Sequence, residues 1–163
     1  MALKTDIYYK GLAEETLKRA GIIEPPVPVT AVADYYGLPV RDVDMPGFFH
    51  AATINEDGLP VVLLNVRRDE STRYKALAHL IGHLLIVLDD SGASYPRDNL
   101  DHRAADVIAE ELLMPSFMVR EQAAKWFNDY RYLARLFGVT EQEMMRKMLD
   151  LGIIKQRGVL WDY

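Results

Sequence analysis

Between Lys75 and Leu88 the chain reads Lys-Ala-Leu-Ala-His-Leu-Ile-Gly-His-Leu-Leu-Ile-Val-Leu, a helix-length stretch with apolar side chains on almost every face. A helix without a polar face must be covered by the rest of the molecule, so any fold of this chain has to be arranged around the segment. His79 and His83 interrupt it at i and i+4, one above the other on one side, with Cβ atoms about 5–6 Å apart. That separation lets two imidazoles share a metal ion. The competing reading is a pair of packed core histidines. Each would then cost roughly 1–3 kcal/mol unless a metal, a carboxylate or a backbone carbonyl partners it.

Composition narrows the surroundings. The chain has 163 residues, about one domain, and 50% are hydrophobic, which excludes intrinsic disorder. There is no cysteine, so a disulfide framework, a thiolate metal site and a cysteine nucleophile are all excluded. Nineteen basic residues against 24 acidic ones give a net charge of −5, which argues against nucleic-acid binding driven by overall charge. No apolar run approaches the ~20 residues a bilayer requires, and no signal peptide is visible; the expectation is a cytoplasmic protein without membrane association.

The pattern of elements predicts an α+β domain. An amphipathic helix is expected over 8–20, then the stiff connector Glu24-Pro25-Pro26-Val27-Pro28, then a short helix capped by Thr30 and ended by Gly37. Three strands follow, at Val40 and Val43, Phe48 to Ile54, and Leu59 to Val66, the last two joined by a longer loop at Asn55-Glu56-Asp57-Gly58. Helices are expected from Asp69 or Ser71 to Leu88, over 99–113, over 116–128, and on either side of Gly138, with a loop over 89–96.

Ala78-His79-Leu80-Ile81-Gly82-His83, followed by Ala104-Ala105-Asp106-Val107-Ile108-Ala109-Glu110-Glu111-Leu112-Leu113-Met114-Pro115, resembles the ImmA/IrrE family of metallopeptidases. Members typically read Ala-His-Glu-Ile/Leu-Gly-His and then Glu-Ala-Asn/Asp-x-Phe-Ala-x-x-Leu-Leu-Met-Pro. The likeness covers roughly residues 8–154. It implies a zincin-like fold, in which a small sheet backs a metal-binding helix, and a role in cleaving a helix-turn-helix repressor of a phage, mobile element or stress response. It divides the chain into an N-terminal helix and connector (1–27), the metallopeptidase-type domain (28–154) and a tail (155–163).

By the same resemblance His79 and His83 match the first two zinc ligands. Leu80 stands where the family has its general-base Glu, and Ala104 where the Glu of Glu-Ala-Asn falls. Losing a base costs typically ~10²–10⁴-fold in rate, and two neutral imidazoles alone hold a dication weakly. Zinc is therefore expected to be weakly bound or absent. The protein is expected to be a proteolytically impaired regulator that still recognises a helix-turn-helix repressor. An active or atypical zinc metallopeptidase is the alternative.

Several residues offer themselves as replacements. Asp101 lies one turn before Ala104 as a substitute third ligand, or simply caps its helix. His102 and Asp106, two positions either side of Ala104, are expected to point elsewhere, and His50 to sit half-exposed in a strand. Glu110 and Glu111 read as solvated charges, Glu111 with the option of a buried ion pair. Residues 133–150 follow a helix-turn-helix pattern, Ala134 through Gly138 to Thr140, which gives a DNA-binding regulator as a further alternative. Glu141 and Glu143 would oppose phosphate there, leaving Arg146 and Lys147 in favour, so direct DNA binding is not expected.

Overall fold

In the computed structural model, residues 5–89 and 99–155 are described, with the side chains of 99–101 left aside. Helix α1 (Asp6–Arg19) starts where Thr5 accepts a hydrogen bond from the Tyr8 amide, and the chain leaves it through Gly21 in the left-handed region. The proline connector leads into α2 (Val29–Tyr35). Its N-cap is Pro28, which has no side chain to cap with, so Thr30 lies inside the first turn and is not the cap expected from sequence.

Strands β1 (Val40–Val43), β2 (Ala51–Glu56) and β3 (Leu59–Asn65) form one sheet in the order β1-β3-β2. β1 runs parallel to β3 and β2 antiparallel to it. Glu56 pairs with Leu59, so only Asp57 and Gly58 make the turn, both at positive φ. That is the tight Asp-Gly hairpin whose twist matches its strands, shorter than the loop anticipated. β2 also begins three residues later than expected. The segment before it folds over the end of β3, held by the fully buried Asn65. The Asn65 side-chain amide donates to the carbonyls of Pro46 and Phe49 at 3.1 and 2.7 Å, and its oxygen accepts from the amides of Met45 and Arg67.

The apolar segment is α3 (Glu70–Asp89), opened by Asp69, which accepts from the Thr72 amide. As its composition demands, Leu77, Ala78, Ile81, Leu85 and Ile86 are all buried. Val62 and Leu64 of β3 cover it on one side and α4 (Asn99–Leu113) on another, with α1 packing on α4 in turn. The expected loop over 89–96 lies, beyond Asp89, outside the described residues. After Pro115 come α5 (Ser116–Lys125), α6 (Tyr130–Phe137) and α7 (Glu141–Asp150). Gly138 ends α6 in the left-handed region and Thr140 caps α7. Among the described residues, no helix is long and apolar enough to cross a membrane.

The candidate metal centre

The site is set by how closely α3 and α4 approach. A Cβ built on Gly82 would lie 2.6 Å from the backbone oxygen of Ala105, so the helices meet where one has no side chain and the other only a methyl. At ~100° per residue, His102 and Asp106 fall on one side of that line of approach and Ala104 on the other. Ala104 is accordingly buried in the core, while His102 and Asp106 reach the α3 histidines. The expectation that they point elsewhere is overturned. The side chain that joins His79 and His83 belongs to residue 102, not to position 104.

The three rings converge. Nε2 of His83 lies 3.0 Å from Nε2 of His79 and 3.2 Å from Nδ1 of His102. One potential ligand nitrogen from each ring falls within 4.8 Å of the other two. The other face of His79 is held by Asp106, whose Oδ1 is 2.7 Å from Nδ1. A carboxylate only accepts, so Nδ1 is the donor in this bond, which leaves Nε2 facing the other rings as the nitrogen that could ligate. A carboxylate behind a ring in this way fixes the tautomer and orientation of a metal-ligating histidine.

Zinc suits this donor set. A tetrahedral ion with bonds of ~2.0–2.1 Å keeps its nitrogens roughly 3.3 Å apart, near both contacts of His83. A single proton on His83 Nε2 would have to be shared between two neighbouring nitrogens, whereas one cation serves all three. His83 is buried, His79 partly exposed and His102 exposed, so the centre opens on one side.

Leu80 forms part of that opening. With Thr53, Asn55 and Pro60 it lines a cleft of about 530 Å³ that reaches the three histidines, and no carboxylate lines this cleft among the described residues. His50 is not in a strand. It sits exposed just before β2, in a second hollow shared with Lys75, His79 and Asp106. The backbone of Asp101 belongs to α4, but its side chain is outside the described residues, as is any capping role for it.

Glu111 lies away from this site and is fully buried. It accepts from Lys147 Nζ at 2.6 Å and from the backbone and hydroxyl of Ser116 at 2.6 and 2.9 Å. Burial alone would raise its pKa, but the Lys147 charge and these hydrogen bonds outweigh burial and hold it below the ordinary glutamate value. Glu14 on α1 is pushed the other way, by burial and by sharing a hydrogen bond with Glu111. Lys147 is thus spent inside the core, and of the two cations credited to a DNA-reading helix only Arg146 stays exposed. Met144 and Met148 of α7 are likewise core residues.

Sequence reasoning set His102 and Asp106 aside because it placed the third ligand by motif alignment. The pattern His102-x-x-x-Asp106 was a usable signal, since residues at i and i+4 on one helix face the same neighbour.

Comparison with known proteins agrees with this architecture. The family model of the IrrE N-terminal-like domain, a peptidase M78 family, matches residues 29–149. No curated protein matches the chain. Among solved structures, a Mycobacterium tuberculosis transcriptional regulator superimposes with a TM-score of 0.62 at 17% identity. The match covers 86% of this chain and 46% of the regulator, so this chain spans about half its length.

Proposed function

This chain belongs to the IrrE N-terminal-like family, and from that premise we propose that it is a zinc-binding regulator of the family that has lost peptide hydrolysis. His79, His83 and His102 hold the ion, and Asp106 orients His79. Bound there, zinc would supply Lewis acidity. The third imidazole makes good the ligand missing at Ala104, so retention of zinc replaces the weak binding expected from two histidines. Nothing makes good the missing base. The single observation that carries the reading is Leu80, an aliphatic side chain at the cleft wall beside the imidazoles, where a proton acceptor is needed.

The partner proposed is a helix-turn-helix repressor. Family membership supports this, together with the fold shared with a transcriptional regulator. The test is elemental analysis and a cleavage assay on purified protein. About one zinc per chain is expected, falling sharply in His102→Ala, with no chelator-sensitive cleavage of casein or of any helix-turn-helix repressor that an adjacent reading frame encodes. A stable complex with that repressor on gel filtration supports the regulatory part. Cleavage by the unmodified chain that stops on chelation would overturn the loss of hydrolysis.

A further inference from the structure

Beside the metal cleft lies a second cavity of about 170 Å³, whose lining includes Leu38, Pro60, Val62, Leu80, Leu84 and Val87. Its walls are almost entirely apolar. An engineered cavity of about 150 Å³ lined by Leu, Ile and Phe takes up benzene, so this one has room for a phenyl or a branched alkyl group. Thr53, Pro60 and Leu80 line both this cavity and the cleft that reaches the three histidines. The two therefore adjoin at these three side chains, an apolar hollow beside a nitrogen-lined one, and together they form a two-part depression.

The charge of the nitrogen-lined end sets the other half of the ligand. Among the described residues, three imidazoles leave Asp106, behind His79, as the one anion near a bound dication, and no carboxylate lines the cleft. A Glu at position 80 would repel an anion entering there; Leu80 does not, and it adds apolar surface to the neighbouring cavity. The substitution that removes hydrolysis therefore also creates a site suited to an anion with a greasy tail. We propose that this depression binds a carboxylate carrying an apolar group of leucine side-chain size, the carboxylate toward the His79/His83/His102 centre and the tail among Leu38, Val62, Leu84 and Val87. Both a free short-chain acid and the C-terminal leucine of a peptide have this chemistry. The inference rests on the zinc-binding reading and gives the centre a ligand to sense in place of a bond to cut.

The experiment is calorimetric titration of the full chain, its zinc content measured first, with 4-methylpentanoate, with acetate, and with acetyl-Ala-Ala-Leu bearing a free C-terminus. Each buried methylene is worth roughly a factor of four in affinity. With the cavity partly open, 4-methylpentanoate is expected to bind at least ~10-fold more tightly than acetate. Val87→Trp, which fills the cavity away from the ligands, should bring it down to the acetate level with zinc content unchanged; Leu84→Phe serves as a second filling variant. Removing zinc should weaken 4-methylpentanoate by a similar factor. Tighter binding of the peptide identifies a chain terminus as the source, and tighter binding of the free acid a metabolite. Zinc-loaded protein that binds neither better than acetate overturns the inference while leaving the metal reading standing. Protein that takes up no zinc overturns the metal reading and the inference with it.

Discussion

Replacing Gly82 by alanine tests the geometry on which the candidate centre depends. The new Cβ would meet Ala105 oxygen at 2.6 Å, Cα at 3.0 Å and the carbonyl carbon at 3.1 Å, all backbone atoms that cannot rotate away. The nearest contact is about 0.8 Å short of ordinary van der Waals separation, so α3 and α4 must part by something of that order. Alanine returns up to ~1 kcal/mol of helix propensity, against a typical cost of ~1–3 kcal/mol for overpacking. The net loss of stability is then about 0–2 kcal/mol, a few degrees in melting temperature. The metal site has no such offset. His102 rides on α4 and its two partners on α3, and coordination distances tolerate only about ±0.2 Å. Zinc affinity should fall at least ~10–100-fold, as for the loss of a supporting contact, in a protein that still folds. Competition against a chromophoric chelator, beside a thermal melt of the metal-free protein, measures both quantities. A Gly82→Ala protein that binds zinc as tightly as the parent would refute the claim that this close approach positions the third ligand.

Asp106→Ala removes the carboxylate behind His79 from an exposed position, and should lower zinc affinity by ~10–100-fold while leaving the melting temperature of the metal-free protein nearly unchanged. Lys147→Met strands Glu111 in the core and should cost about 3–5 kcal/mol in denaturant unfolding, with most of the loss recovered when Glu111→Leu is added. Because Glu111 titrates below its ordinary value of 4.5, its stabilisation is present above that pH and is lost as pH falls through the lowered value. The raised Glu14 contributes in the opposite sense, so the acid-side slope of the pair, read from unfolding midpoints against pH, should be shallower than Glu111 alone would give and should change when Lys147 is removed. Asn65→Ala leaves the amides of Met45 and Arg67 and the carbonyls of Pro46 and Phe49 without their shared partner. A loss of about 2–4 kcal/mol is expected, with faster amide exchange over residues 45–50.

Local elements were readable because local rules govern them. Asp69 and Thr140 cap their helices, Gly21 and Gly138 end theirs, and α4 spans the residues its pattern predicted. Reading was less accurate where a contact distant in sequence decides. Thr30 has the chemistry of a cap, but Pro28 already occupies the position that starts the helix. Phe48 to His50 have strand composition, yet the Asn65 side chain captures the carbonyls of Pro46 and Phe49, so the segment bends over the end of β3 before the strand begins. Lys147 looked like a surface cation on an acidic helix and is instead the counter-ion of a glutamate 36 residues away.

From the amino acids alone came a helix that had to be buried and two imidazoles on one of its faces; the family resemblance added a leucine at the position of its general-base glutamate. The first two follow from residue type and helical period, and no arrangement of the remaining chain alters them. The third imidazole was a tertiary decision. Which residues of α4 turn toward His79 and His83 depends on that helix's rotation and height against α3, to which the tight approach of Gly82 to the backbone of Ala105 contributes. A motif alignment carries no such rotation, and so it pointed to a buried alanine while the histidine that meets His79 and His83 stood two residues earlier.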